Sequence, residues 1–320
     1  MSGIARSLFA SAVAISAIAL AYGCGVGPGP STEGTATLDV TRDYGVEPVA
    51  DGTVENPTES ETVLRLLDHQ TDITTRYGGG FVQSIEGIAG GVDSGRNSDW
   101  FFYVNGIESS IGSADVKVRG GDRIWWDYRD WTDAMGVTAV VGSFPEPMLQ
   151  ASSDEASREP VTVRCSPAAA GGSACDDTVQ QLSNAGVEAT VAPLKSGDPD
   201  GFDVLVGPYS ELADLPQMKL IEQGPSSSGV FAGFADAGAE LDGLAADTSK
   251  ALKLGSGSGI VAALRDGDER PTWIVSGTDE DGVEAAAELL DGGELHDHYA
   301  VLTDGATTTP VPIVDEGTGE

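Results

Sequence analysis

Alternating hydrophobic and polar positions predict a small domain rich in β-strands between residues 36 and 145. A two-residue period predicts strands at residues 36–43, 81–85, 100–104, 107–111 and 123–128. Leucines and valines at helical spacing predict one amphipathic helix, which a capping box of Thr58 and Glu61 would open. Asn105-Gly106 predicts a tight hairpin. This order predicts an α+β fold of β-grasp-like type, with one helix against a mostly antiparallel sheet.

The pattern changes after residue 145. Residues 146–159 are rich in Pro, Ser and Glu and predict a linker. Residues 160–315 predict a separate α/β domain of unknown family, because short apolar strands alternate with helical patterns. The expected strands are residues 161–165, 187–191, 203–206, 230–234, 260–264, 272–276 and 299–302. The expected helices are residues 176–184, 238–252 and 280–290.

The N-terminal residues have the pattern of an export sequence. Residues 8–20 form an apolar run that is too short to span a bilayer comfortably and follows Arg6, so residues 1–23 predict a disordered signal peptide. Residues 20–24, Leu-Ala-Tyr-Gly-Cys, resemble a bacterial lipobox. That resemblance implies lipidation of Cys24, a disordered tether over residues 24–35, and a protein held at the extracytoplasmic face of the cell membrane. Ordinary cleavage near Ala21 and a retained anchor are the alternatives.

The net charge of the chain argues against negatively charged partners. The chain has 51 acidic and 17 basic residues, a formal net charge of -34. Such a surface repels phosphate, which argues against nucleic-acid binding and against peripheral attachment to anionic lipids by charge. A solvated acidic surface is the ordinary interpretation, and a cationic partner is the alternative.

The two other cysteines, Cys165 and Cys175, are ten residues apart. An exported chain meets an oxidising or thiol-free environment, so we expect a local disulfide between them. A pair of free thiols is the alternative. A metal site would need further ligands, and the sequence places no Cys or His nearby.

Aromatic residues are concentrated between residues 76 and 131, which contain four of the five tryptophans. Along residues 123–131, Trp126 and Trp125 fall on opposite faces of a strand, so both faces of the sheet are aromatic. One face would cover the helix, and the other would meet a ligand, the second domain or a partner protein. The candidate ligand-binding residues are Tyr77, Phe81, Trp100, Tyr103, Trp125, Trp126 and Trp131.

Two motifs carry a family resemblance. Phe-Phe-Tyr-Val-Asn-Gly at residues 101–106 and Gly-Asp-Arg-Ile-Trp-Trp-Asp-Tyr at residues 121–128 resemble a bacterial family of unknown function. That family is related to the C-terminal β-domain of transcobalamin and intrinsic factor, and the resemblance covers about residues 36–145. It implies a small β-grasp-like domain in an exported protein. Because the transcobalamin domain covers one face of a corrinoid, it also implies a cobalamin-type molecule as a candidate ligand.

No constellation of catalytic residues stands out, so we expect a protein that is not an enzyme. His296 and His298 flank Asp297 and could ligate a metal, but a surface turn is the simpler interpretation and we expect no metal site. Our first hypothesis is a lipid-anchored binding protein whose aromatic face takes a small molecule, for delivery to a transporter. The alternative is a structural or interaction protein of the cell surface, in which that face is an interface. A hydrolase acting on polysaccharide or peptidoglycan is a third hypothesis.

Overall fold

The computed structural model describes residues 29–149, 159–194, 201–267 and 269–314. The predicted signal peptide and Cys24 lie outside these residues. None of the helices in the described ranges is both long enough and apolar enough to cross a membrane. The protein is mixed α/β, with more strand than helix. We call residues 29–130 the first unit, residues 131–149 the bridging segment and residues 159–314 the second unit.

The first unit has one helix and two sheets. Its strands are β1 (Thr35–Arg42), β2 (Glu47–Glu55), β3 (Ile73–Arg76), β4 (Phe81–Ile85), β5 (Ile88–Ala89), β6 (Gly91–Asp93), β7 (Arg96–Val104), β8 (Ile107–Glu108) and β9 (Arg123–Asp130). The helix α1 is Val63–Gln70, and a 3-10 turn covers Tyr77–Gly79. The main sheet has the order β2-β1-β9-β7-β6, with β8 paired to β7, and β3, β4 and β5 form a small second sheet.

The central pair of the main sheet, β1 and β9, is parallel, whereas β1 pairs with β2 and β9 pairs with β7 in antiparallel fashion. One face of this sheet meets α1 in a core that contains Leu38, Leu66 and Trp126. The side chains alternate along β9, so Trp125 and Asp127 point to the opposite face. The first unit therefore uses only one face of its sheet for its own core.

The second unit has a seven-stranded sheet with the order β11-β10-β12-β17-β16-β18-β19 and a three-stranded sheet β13-β14-β15. Its strands are β10 (Val161–Cys165), β11 (Ala189–Pro193), β12 (Phe202–Pro208), β13 (Ala232–Ala235), β14 (Glu240–Leu244), β15 (Lys250–Leu254), β16 (Gly259–Leu264), β17 (Thr272–Gly277), β18 (Ala300–Thr303) and β19 (Thr308–Val311). Its helices are α2 (Pro167–Gly171), α3 (Ala174–Asn184), α4 (Tyr209–Leu212), α5 (Pro216–Glu222), α6 (Pro225–Ser228), α7 (Glu280–Glu288) and α8 (Gly292–Leu295).

The seven-stranded sheet is buried on both faces, as its near-continuous apolar strands require. Helices α3 and α7 cover one face, where Leu182 and Val283 pack with Trp273. The other face packs against the three-stranded sheet and also against residues of the first unit. The first unit thus forms part of the cover of this sheet.

The bridging segment is buried rather than extended in solvent. Phe144 and Met148 lie in the core beneath α3 and α7, with the Phe144 ring 5.7 Å from the Trp273 ring. Val137 and Val140 pack into the core on the opposite face of the sheet. The predicted linker over residues 146–159 therefore starts with anchored residues, because Met148 is only 2% exposed. The rest of that range, residues 150–158, lies outside the described residues.

Part of the predicted tether is also docked. The Thr32 amide donates to the Pro57 carbonyl at 2.9 Å, and the Gly120 amide donates to the Thr32 hydroxyl at 2.8 Å. Residues 29–34 thus pack against the rest of the first unit before β1 begins at Thr35. Residues 24–28 lie outside the described residues.

Two predictions from the pattern were wrong in detail. Helix α1 starts at Val63 with Thr62 as its N-cap, whose hydroxyl accepts from the Arg65 amide at 3.2 Å, so the Thr58 capping box does not form. Residues 238–252 are not a helix but the hairpin of β14 and β15. The Asp247 carboxylate accepts from the Ser249 amide at the hairpin turn, which gives the backbone a local alternative to a helix.

Candidate functional site: an aromatic seam between the two units

The second face of the main sheet meets the second unit through a cluster of rings, which we call the aromatic seam. Its rings come from both units and from elements far apart in sequence. They are Tyr44, Phe101, Tyr103 and Trp125 of the first unit and Phe231 and Tyr299 of the second. All except Phe101 are at most 5% exposed. The seam is therefore a continuous apolar core that belongs to neither unit alone.

Tyr299, which lies just before β18, is the centre of the seam. Its ring lies 5.2 Å from the ring of Tyr44, 5.8 Å from that of Tyr103 and 5.3 Å from that of Trp125. All three pairs have the edge-to-face geometry that aromatic quadrupoles favour, and each pair stabilises by about 0.5–1.5 kcal/mol beyond its burial. One tyrosine of the second unit thus fills a socket of three first-unit rings.

Asp127 supplies the polar anchor of the seam. The side chain is fully buried, and its carboxylate accepts hydrogen bonds from the Tyr299 hydroxyl at 2.9 Å and the Thr41 hydroxyl at 2.7 Å. The amides of Tyr44 and Gly45 also donate to it, each at 3.1 Å. Burial raises the pKa of Asp127 to about 6, although these donors favour the charged form and act in the other direction.

Arg129 lies on the same face, two residues along β9, and is also fully buried. It donates to the carbonyls of Ala134 at 2.9 Å and Met135 at 2.8 Å, and its guanidinium stacks 3.8 Å from the Phe101 ring centre. Glu108 lies 3.5 Å away and provides the opposite charge. Arg129 thereby fixes the start of the bridging segment against the first unit.

The seven predicted ligand-binding residues fall into three groups. Tyr103 and Trp125 belong to the seam, where the second unit covers them. Trp100 and Trp126 lie in the first unit's own core, on the face of the sheet that meets α1. The structure does not bring the seven side chains together on one open surface.

The remaining three lie nearer the surface. Tyr77 is 89% exposed and Phe81 is 40% exposed, and their rings meet edge to face at 6.3 Å. Trp131 follows the end of β9 and is half-buried, with its amide donating to the Asn97 carbonyl at 2.8 Å. Tyr77 and Phe81 are therefore the predicted site residues whose rings face open solvent.

Sequence reasoning missed the residues that complete the seam, namely Tyr44, Phe101, Phe231 and Tyr299. Tyr44 was overlooked because it lies in the turn after β1, with a positive φ of 61°, where no strand pattern marks it. Tyr299 was assigned only to an extended segment. One indication was available in the sequence. Large aromatic residues are rare in the second unit, so each of them is expected to pack against a specific neighbouring side chain.

The predicted disulfide is confirmed. Cys165 at the end of β10 is bonded to Cys175 in α3, with the two Cα atoms 6.1 Å apart. Beside it, the carboxyl ends of β10 and β11 border an apolar crevice of about 630 Å³, whose lining includes Pro167, Val191 and Leu194. Crevices at the carboxyl ends of parallel strands are common ligand sites in α/β sheets.

The turn at residues 296–298 lies against the first unit. The Asp297 carboxylate is 3.2 Å from His296 Nδ1, and Asp39 of β1 completes a group of three side chains whose ligand atoms all lie within 4.8 Å of one another. Burial and the neighbouring Asp297 raise the pKa of Asp39, while the hydrogen bond that His296 donates to the Asp297 carboxylate raises the pKa of His296. His298 is not part of this group, and burial lowers its pKa.

Comparisons with known proteins give one family match and one similar solved structure. No curated protein matches the chain. A solved structure described as a "putative metal binding protein" from Ruminococcus gnavus is similar at 15% identity, covering 31% of this chain and 98% of that one, with a TM-score of 0.24. Residues 60–130 match the model of a family described as a domain of unknown function, DUF4430. The expected resemblance to a bacterial family of unknown function is thereby confirmed for this segment, which runs from just before α1 to the end of β9.

Proposed function

We propose that this protein is an exported, lipid-anchored interaction protein of the cell surface, whose aromatic face joins its two units into one body. The observation that supports this best is the position of Tyr299. Its ring packs against three rings of the first unit, and its hydroxyl donates a hydrogen bond to the buried carboxylate of Asp127. Such a seam holds the two units in a fixed relative position. A partner protein can therefore bind to surfaces of both units at once.

The β-grasp-like assignment of the first unit is part of this proposal. A hairpin, β1 and β2, is followed by one helix that packs across the sheet, and the parallel pair β1 and β9 lies at its centre. This arrangement supports the relation to the transcobalamin β-domain. It also explains why that unit has a free aromatic face to offer, because its single helix covers only the other one.

Coincident unfolding tests the joining role of the seam. Urea unfolding of the full chain is followed by tryptophan fluorescence and by far-ultraviolet circular dichroism, and we expect one shared transition. Tyr299→Ala, which removes the ring from the socket, is expected to separate the two transitions. Tyr77→Ala, at an exposed ring, should leave them together. Two separate transitions in the unsubstituted protein would refute the joining role.

The anchor is tested by fractionation. We expect the protein in the membrane fraction of its cells, and Cys24→Ala should move it to the soluble exported fraction, because lipidation needs the thiol. Ser31→Ala, near the lipobox but outside it, is the control. Equal membrane association of all three forms would contradict lipid anchoring.

Small-molecule binding is a second candidate function, because Tyr77 and Phe81 present an exposed ring pair that the cores of the protein do not use. A flat ligand such as a corrinoid would stack there, and the anchored protein would hand it to a transporter. Isothermal titration of the full chain with cobalamin, haem and a panel of sugars tests this. Binding that Tyr77→Ala weakens and Val92→Ala leaves intact would support it, and the absence of heat with every compound would reject it.

A further inference from the structure

We propose that Asp39, His296 and Asp297 form a binding site for a divalent cation, Zn²⁺ or Mn²⁺, which bridges the two units. Two carboxylates and one imidazole lie with their ligand atoms within 4.8 Å of one another. Imidazole and carboxylate together suit first-row divalent metals, whereas Ca²⁺ and Mg²⁺ take oxygen ligands.

The three ligands come from both units. Asp39 lies on β1, on the same sheet face as Thr41, while His296 and Asp297 lie in the turn between α8 and β18. A cation at this position would be coordinated by residues of both units. Its binding free energy would therefore add to the free energy with which the seam stabilises the packing of the two units. The site needs the packing of the units on which the proposed function rests, but the seam does not need the cation.

The turn that carries two of the ligands is held by close backbone contacts. A Cβ at Gly45 would lie 1.8 Å from the Asp297 carbonyl oxygen, and a Cβ at Gly142 would lie 2.8 Å from the His298 amide nitrogen. The Asp297 amide also donates to the Gly142 carbonyl at 3.3 Å. Glycines on both sides therefore let the turn approach Asp39 closely, which positions the ligands before any ion arrives.

A small space lies between the carboxylates. A cavity of about 150 Å³ is lined by Asp39, Asp51 and Asp297 together with Thr41 and Pro48. Asp51 is the direct cross-strand partner of Asp39 on β2, so like charges face each other there, an arrangement that is destabilising without a counter-charge. The cavity leaves room for water molecules to complete the coordination, and Asp51 could orient them.

Arg123, at the start of β9, does not form an ion pair with this group. The Arg123 guanidinium donates instead to the Phe144 carbonyl at 2.7 Å. Two half-buried carboxylates thus lie beside a single imidazole, and a divalent ion would supply further positive charge.

Calorimetric titration of the untagged full chain tests the site. The chain is stripped with a chelator, dialysed, and titrated with ZnCl₂ and with MnCl₂ at pH 7 in high salt, which suppresses weak binding to the acidic surface. We expect one site per chain. Asp39→Asn and His296→Ala should each weaken binding at least tenfold, while His69→Ala and Asp93→Asn, at exposed positions, should not change it. The absence of one stoichiometric site, or equal binding by all variants, would overturn the proposal.

A spectroscopic measurement avoids any dependence on variants. X-ray absorption at the zinc edge of the unsubstituted protein should show only nitrogen and oxygen ligands, with one imidazole. Sulfur ligands or several imidazoles would place the ion elsewhere and refute the site. Added metal should also raise the Tm of the unsubstituted protein and not that of His296→Ala. If neither zinc nor manganese binds while the two units still unfold together, the cation site is wrong and the seam is unaffected.

Discussion

The hydroxyl of Tyr299 donates a hydrogen bond to the carboxylate of Asp127 at 2.9 Å, although the two residues are 172 positions apart in the chain. The bond is fully buried and joins the first unit, which contains the segment that matches DUF4430, to the second unit. It is the only place among the described residues at which the second unit donates directly to the Asp127 carboxylate. Removal of this hydrogen bond should therefore change the stability with which the two units pack together.

Tyr299→Phe keeps the ring and removes this bond. We expect the free energy of unfolding to fall by about 1–3 kcal/mol, because one acceptor of a buried carboxylate loses its partner. Urea unfolding measures it. Tyr209→Phe is the matched control, since the Tyr209 hydroxyl donates to Glu222 at the surface, and it should change stability little. Equal effects of the two substitutions would mean that the buried bond contributes nothing special.

Stability should depend on pH through Asp127. The pKa of this carboxyl is about 6 in the folded protein and near 3.8 when unfolded, because burial disfavours the charge. Between these values the folded state binds more protons than the unfolded state, so the contribution of Asp127 to stability falls as pH rises from about 4 to about 6. The groups that face it are Thr41, Tyr44, Tyr299 and Arg129.

Asp127→Asn isolates that dependence from the titration of the many surface acids. Urea unfolding at pH 4, 5, 6 and 7 should show that the unsubstituted protein loses about 2–3 kcal/mol relative to the variant across this range, as the shift in pKa requires. The variant itself should be less stable at every pH, because an amide cannot accept from all four donors. Parallel pH profiles of the two proteins would contradict the raised pKa.

Arg129 should be among the least replaceable residues of the first unit. Arg129→Met leaves Glu108 without its ion partner and the carbonyls of Ala134 and Met135 without donors, so we expect a loss of about 3–5 kcal/mol. Arg65→Met is the control, because the Arg65 guanidinium donates to a carbonyl at an exposed site. A loss below about 1 kcal/mol for Arg129→Met would show that the buried charge is dispensable.

Gly45→Ala should weaken the docking of the units, because the added Cβ would press on the turn that carries Asp297 and on the edge of the Trp125 ring. Gly45 has a φ of 89°, and an added Cβ would collide with the Asp297 carbonyl oxygen. Gly95 has a φ of 85° with no atom within 4 Å of its Cβ position, so Gly95→Ala carries the same backbone strain without the collision. We expect Gly45→Ala to lower the Tm well below that of Gly95→Ala. Equal Tm values would indicate that the turn at residues 296–298 can shift to accept the added Cβ at little cost in stability.

The strand alternation of residues 123–128 was enough to predict two aromatic faces, because a two-residue period assigns each side chain to a face. It could not choose between a ligand, a partner and the second domain as the cover of Trp125. That choice depends on Tyr299. The sequence around Trp125 and the sequence around Tyr299 do not indicate that the two residues, far apart in the chain, are in contact. The group of Asp39, His296 and Asp297 was missed for the same reason, although the histidines and Asp297 were noticed.

Other errors have local causes. Strand β2, Glu47–Glu55, has no buried residue and lies at the edge of the sheet, so it lacks the apolar alternation that predicts a strand. Residues 238–252 were assigned to a helix because their leucines and alanines are spaced as on a helix face. In the structure Leu241 is buried through sheet packing instead, which overrides the weak helical preference of the segment.

The buried bridging segment has a consequence for how this architecture can be inherited. Phe144 and Met148 sit beneath the helices of the second unit, beyond the point at which the family match ends. A chain that inherited only residues 29–130 would expose the rings of Tyr44, Tyr103 and Trp125, and one that inherited only the residues after 149 would lack Phe144 and Met148 in its core. Both cores are filled only when residues 131–149 are inherited together with the two units.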